Sequence, residues 1–175
     1  MKDIVKPIAV LAAICLVVTA LLATVNAITA PIIREADEKA AAKARSEVLT
    51  EADSFEEITG VALPEGVTEA YRAQNGAGYV FKLETKGYGG TITMMCGVKA
   101  DGSIESVQTL SHSETSGIGS RVVDNAAGYN KNYAGKTADN YDEVDAVTGA
   151  TISSKAYKKA VASAFDAYQT VKEAE

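Results

Sequence analysis

An α+β domain behind a single N-terminal membrane-spanning helix is the architecture this sequence predicts, and three observations predict it. The first 33 residues are almost wholly apolar. Four short alternating runs separated by glycine-bearing turns follow in the middle of the chain. The C-terminal segment from Ser153 to Lys172 carries apolar residues at helical spacing.

The apolar run has no charged residue from Pro7 to Ile33, and between Ile8 and Ile33 only Asn26 is strongly polar, with Thr19, Thr24 and Thr29 as mild interruptions. A helix crosses the hydrocarbon core with about 20 such residues. The competing reading is a cleaved signal peptide, with Lys2 and Lys6 as its basic flank and Val25-Asn26-Ala27 as its cleavage site. The unbroken stretch from Ile8 to Ala23 outruns the usual apolar region of about 7–15 residues, which favours an uncleaved anchor. A core helix is the weaker reading, because a helix packed on a domain this small keeps a polar face and this segment has none. Orientation stays open at this level. Lys2 and Lys6 lie on one side and Arg34, Lys39, Lys43 and Arg45 on the other, and long domains translocate whatever their charge.

Arg34 to Leu49 reads as a helix leaving the membrane, with Ala36, Ala40, Ala44 and Val48 forming a narrow stripe that suits a stalk better than a core. Ser54 to Ile58 reads as a helical turn, and Pro64-Glu65-Gly66 as a chain reversal. Val67 to Gln74 and Gly78 to Thr85 are paired strands joined through Asn75-Gly76. Gly87-Tyr88-Gly89-Gly90 interrupts the pattern. Thr91 to Val98 and Ser103 to Leu110 follow, joined through Asp101-Gly102. The expectation is a four-stranded antiparallel meander with one face buried and helices packed on that side. Arg121 to Ala127 reads as a short helix, and Gly128 to Asn140 as loop. In the last helix Tyr157, Ala160, Val161, Ala164, Phe165, Tyr168 and Val171 share one face. The divisions are residues 1–33 as anchor, 34–60 as helical stalk and 61–175 as the sheet domain.

Charge and cysteine usage exclude several chemistries. Residues 34–175 hold 15 basic and 22 acidic side chains, so the domain repels nucleic acid and points to small-molecule or protein partners. Cys15 and Cys96 sit in a membrane helix and a strand, with no Cys-x-x-Cys pair, and His112 is the sole histidine. Covalent haem, an iron–sulfur cluster and a thiolate or histidine metal site all lack ligands, so no metal site is expected.

The stretch Asp145-Ala146-Val147-Thr148-Gly149-Ala150-Thr151-Ile152-Ser153-Ser154 opens the last helix. One reading makes Thr151, Ser153 or Ser154 its N-cap, with Gly149 in the preceding turn. That reading leaves the first turn without a balancing acid, since neither Ser153 nor Ser154 is followed three residues on by Glu or Gln. Free N–H groups at a helix start suit an anion, phosphate in particular, and Gly149 and Ala150 let a bulky group approach.

These residues resemble the flavinylation motif of FMN-binding domains, D-x-x-[ST]-G-A-T-x-[ST]. His112-Ser113-Glu114-Thr115-Ser116-Gly117-Ile118-Gly119 is similar to the family's H-x-E-T-P-G-[LI]-G loop, with Ser116 in place of Pro, and Gly87-Tyr88-Gly89-Gly90 to its G-[YF]-x-G segment. Such domains occur in the G subunit of the Rnf ion-translocating oxidoreductase and the C subunit of the sodium-translocating NADH:quinone oxidoreductase; the single anchor and compact size favour the former. The resemblance implies FMN held by a phosphoester to Thr151 and attached by a separate flavin transferase from FAD. It also implies a cofactor site that draws on Thr148, Gly149, Ala150, Ile152, Ser153, Asp145, His112, Glu114, Thr115 and Tyr88. The implied role is a membrane-anchored redox subunit without a catalytic site of its own, passing electrons among the other subunits of an Rnf-type complex that couples ferredoxin/NAD chemistry to Na+ or H+ movement. The soluble domain would face away from the cytoplasm. The alternative is a stand-alone membrane-anchored FMN protein for extracellular or respiratory electron transfer.

Overall fold

The computed structural model describes residues 2–174, with side chains from Val5 onward; the side chain of Lys2, part of the expected basic flank, lies outside that set. Helix α1 spans Lys2–Val48 and includes Pro7 and Pro31. The chain divides between Ala40 and Ala41 into two compact units.

In the first unit the apolar side chains face outward on every side of α1, Leu16 being 73% exposed. The hydroxyls of Thr24 and Thr29 donate back to the carbonyls of Ala20 and Val25 at 2.8 and 3.0 Å, so they need nothing from solvent. Among the described residues this is the one helix long and apolar enough to cross a membrane. Its last charged pair before the division, Lys39 with Glu35, is an exposed i, i+4 contact at 2.6 Å.

The second unit is a five-stranded antiparallel sheet in chain order. Its strands are β1 (Phe55–Glu57), β2 (Val67–Ala73), β3 (Gly78–Lys86), β4 (Thr91–Lys99) and β5 (Ile104–His112). The hairpins form where Asn75-Gly76 and Asp101-Gly102 mark them, with Gly76 and Gly102 at φ 76° and 86°. The expected helical turn at Ser54 to Ile58 is instead strand β1, registered Phe55 to Ala73 on the edge of β2. Its backbone is extended there by the bonds from Ile58 N–H to Ala70 O (2.8 Å) and from Gln74 N–H to Ser54 O (3.0 Å). Five residues of mixed pattern carry no period of their own, so tertiary pairing decided the conformation.

Both faces of the sheet are covered, which corrects the one-sided expectation. Phe81, Leu83, Met94 and Cys96 pack beneath α3 (Thr151–Ala174), against Tyr157, Val161, Ala164 and Tyr168. On the opposite face Val80 and Met95 meet Ala41, Ala44, Val48 and Leu49, the last turns of α1 and the residue after it. The stripe read as a stalk is therefore core from Ala41 onward, while Ala36 and Ala40 stay exposed. Gly97 makes this approach possible: a Cβ there would lie 2.0 Å from the Val48 carbonyl oxygen. Burial pushes the Cys96 thiol up to about 12, so it is no nucleophile at neutral pH.

Between β5 and α3 the chain forms helix α2 (Ser120–Val123) and three 3-10 turns, Asn125–Ala127, Tyr129–Tyr133 and Tyr141–Glu143. Asn125 protects the exposed edge of β5. Its amide accepts from Thr109 N–H and donates to Thr109 O, both at 2.9 Å. Tyr129, Tyr133 and Tyr157 form a buried ring cluster with centroids 5.5–5.8 Å apart, which seats this segment on α3.

Candidate functional site

The register places three loops at one end of the sheet. Lys86 pairs with Thr91 and Ile92 with His112, so the β3–β4 connection and the exit from β5 leave side by side. The N-terminus of α3 completes the group. Together they line a cavity of about 420 Å³ with Tyr88, Glu114, Thr115, Ile118, Gly119, Gly149, Ala150, Thr151, Ile152 and Ser153. That volume lies in the range of small-molecule sites, about 300–1,000 Å³.

The α3 end is shaped by a tight turn. Ala150 N–H donates to Val147 O at 2.9 Å, and Gly149 occupies the turn at φ 85°, a conformation glycine supplies without strain. Ser154 locks it, its Oγ accepting from Val147 N–H and donating to Ala150 O, both at 3.0 Å. Ser154 N–H is the first to close on the helix, at 2.9 Å to Ala150 O. The N–H groups of Thr151, Ile152 and Ser153 are thus the free donors that every helix start presents. Thr151, Ser153 and Ser154 all stand inside the first turn rather than before it. Thr151 and Ile152 face out, whereas Ser153 and Ser154 are buried.

The missing acid of that turn comes from elsewhere in the chain. Ser153 Oγ donates to Glu114 Oε2 at 2.6 Å, across 39 residues of sequence, and Glu114 Oε1 accepts from Gly89 N–H at 3.0 Å. Glu114 N–H in turn donates to His112 Nδ1 at 3.2 Å, and Nε2 of the same ring lies 2.8 Å from Asp124 Oδ1.

Eight of the residues expected from sequence therefore meet at one cavity, and three stand apart. His112 lies behind the Glu114 loop rather than on the cavity wall. Thr148 contributes its carbonyl to Arg121 Nη1 at 3.5 Å. Asp145 lines a second, more open depression with Tyr129, Asn132, Lys136, Glu143, Val144 and Val147. Ile118 and Gly119 also line the cavity. They share the Glu114 loop, but nothing in its local pattern tells which of its residues turn inward. The rim is apolar where it opens: Tyr88 is 72%, Ile118 53% and Ile152 56% exposed. An apolar rim beside free N–H donors and an exposed hydroxyl suits a ligand with a flat hydrophobic ring and an anionic end.

Comparison with known proteins agrees with that chemistry. Residues 87–166 match the FMN-binding domain family, and residues 1–48 match the RnfG N-terminal region. The chain is 30% identical to the G subunit of the Na+-translocating ferredoxin:NAD+ oxidoreductase complex of Acetobacterium woodii, over 86% of this chain and 84% of that one. It is 29% identical to the G subunit of the proton-translocating ferredoxin:NAD+ oxidoreductase complex of Clostridium ljungdahlii, over 89% and 86%. The G subunit of the ion-translocating oxidoreductase complex of Methanosarcina acetivorans is 31% identical, over 94% of each chain.

Proposed function

The chain belongs to the family of G subunits of ion-translocating oxidoreductases, and from that premise we propose that it is the FMN-carrying, membrane-anchored electron-transfer subunit of an Rnf-type complex. It works with the other subunits of a ferredoxin:NAD+ oxidoreductase that moves Na+ or H+. FMN is esterified to Thr151, and the domain lies on the extracytoplasmic side of a single membrane-crossing helix. The observation that carries the cofactor reading is Thr151 itself. It is an exposed hydroxyl at the first turn of α3, on the wall of the cavity where the Tyr88 segment, the Glu114 loop and the helix start converge, inside the matched FMN-binding domain.

The residues fit that group. The free N–H groups of Thr151, Ile152 and Ser153 would receive the phosphate, whose charge the helix terminus favours. Gly149 leaves open space beside it, nothing lying within 4 Å of where a Cβ would be. Tyr88, Ile118 and Ile152 would border the ring, with Thr115 beside them. His112 acts through the Glu114 loop, Thr148 through Arg121, and Asp145 through the segment leading into the motif. When bound, FMN supplies the one-electron chemistry, and the protein supplies position, water exclusion and field.

Attachment needs a separate flavin transferase. Thr151 would hold the cofactor through its Oγ, the ester bond to phosphorus replacing the pyrophosphate bond of FAD, with AMP as leaving group and the hydroxyl proton released. The tether keeps the cofactor at the site where dissociation would lose it. The described side chains of α1 carry no charge between Lys6 and Arg34, so the anchor offers no charged group to line an ion path.

The deciding measurement is the intact mass of the full chain extracted from membranes of a host with the transferase. The expected result is an increment of one FMN less water, lost together with the fluorescent band on a denaturing gel in Thr151→Ala. A variant that keeps the flavin overturns the attachment site. Protease protection in right-side-out cells or vesicles tests the side: digestion of the domain from outside is expected, and full protection there reverses the orientation. Co-purification with the other components of the complex separates this reading from a stand-alone flavoprotein.

A further inference from the structure

We propose that Glu114 is the positioning residue of this site, a buried carboxylate that holds the first turn of α3 and the Tyr88 segment in one register and gives the cavity wall a fixed negative charge; the proposal rests on reading the cavity as the FMN site. Glu114 is only 8% exposed. A buried carboxylate persists where donors surround it, and here both oxygens are taken, Oε1 by Gly89 N–H and Oε2 by Ser153 Oγ. Its backbone is held as well, through His112 and Asp124. A single side chain thereby joins the β3–β4 connection, the loop after β5 and the start of α3.

The glycines around it are explained by this role. A Cβ at Gly87 would lie 2.1 Å from Oε1, one at Gly119 2.2 Å from Oε2, and one at Gly89 2.2 Å from the Ser113 carbonyl oxygen. The chain leaves out side chains where the carboxylate and its loop must pass. These clashes reach glycines in two separate loops, so the space is built around Glu114 rather than around either loop alone.

The consequence for Thr151 follows from helix geometry. Residues two apart on a helix point about 200° from each other. Pinning Ser153 inward on Glu114 turns Thr151 outward onto the cavity wall, and without the pin the first turn is free to rotate or fray. The charge has a second effect. A fixed anion on the wall opposes added negative charge in the cavity, so it lowers the potential of a bound flavin.

The test uses the full chain with Glu114→Gln, Glu114→Ala and Ser153→Ala, made with and without the flavin transferase. In flavin-free protein, hydrogen exchange at Gly89 should rise about tenfold in Glu114→Ala, the effect of removing one net hydrogen bond. Flavin incorporation, read by intact mass after a limited reaction time, should fall about tenfold, and less in Ser153→Ala. Glu114→Gln keeps the shape, with an acceptor for Gly89 and an amide for the Ser153 hydroxyl. It should restore incorporation to near the parent level while raising the midpoint potential, a shift that packing alone would not produce. Should Glu114→Ala fail to fold, Glu114→Gln and Ser153→Ala decide the matter. Parent-level incorporation in both Glu114→Ala and Ser153→Ala, or an unshifted potential in Glu114→Gln, overturns the proposal while leaving the FMN site intact. A parent chain that takes up no flavin removes the site reading, and this proposal with it.

Discussion

The two long helices of this protein, α1 over Lys2–Val48 and α3 over Thr151–Ala174, answer the same physical demand in opposite ways. Between Val5 and Ile33, α1 is apolar around its whole circumference, and its large apolar side chains are exposed. α3 is apolar on one stripe only, and that stripe, from Ala156 through Tyr157, Val161 and Ala164 to Val171, lies on the sheet. Where the apolar surface goes all round, lipid must solvate it; where it is confined to a stripe, the protein's own core does. α1 also changes character along its length. After Ala41 it behaves like α3, with Ala44 and Val48 buried against the far face of the sheet.

The strongest break of this comparison is to delete residues 1–40. The chain is expected to move from the membrane fraction to the soluble fraction while the sheet domain keeps its circular dichroism, since 41–174 holds the described core. Persistence at the membrane would mean that the domain carries its own affinity for lipid. Next comes Tyr157→Ala on the soluble domain. It removes a fully buried ring from the Tyr129–Tyr133 cluster and should cost about 3–5 kcal/mol in urea unfolding. A loss under about 1 kcal/mol would show the α3 interface to be far looser than its burial implies.

Gly97→Ala sharpens the claim that the last turns of α1 are core. The added methyl has no room beside the Val48 carbonyl, and a loss of about 1–3 kcal/mol is expected. An unchanged midpoint would show that this end of α1 lifts from the sheet at little cost. The smallest effect belongs to Lys39→Ala, in the exposed pair with Glu35. Its change should stay under about 0.5 kcal/mol, because two exposed side chains lose in entropy what they gain in attraction. A larger loss would indicate that the helix is structurally coupled well beyond its own turn.

Much of the site is legible in the sequence, because its chemistry is local. Gly149, Ala150, Thr151, Ile152 and Ser153 are contiguous, and a turn running into a helix start is written in adjacent residues. The hairpins are legible for the same reason, with Asn75-Gly76 and Asp101-Gly102 supplying the glycines their turns need. Strand β1 is not. Phe55-Glu56-Glu57 has no pattern of its own and becomes a strand only because β2 offers a free edge. The acid of the α3 start is hidden for a related reason. The three residues after Ser153 hold no carboxylate, while the one that serves it sits 39 residues back.

The sequence by itself determined the apolar segment and the antiparallel meander, since each depends on neighbours along the chain and on periods of 2 or about 3.6 residues. Only the tertiary structure decided that both sheet faces are covered, that Ile118 joins Tyr88 and Ile152 on the rim, and that Glu114 stands between Gly89 and Ser153. The physical reason is that burial and hydrogen bonding act through space. Alanines too small to mark a face become core when a sheet with a glycine meets them, and an acid counts as a helix's partner once folding brings it there.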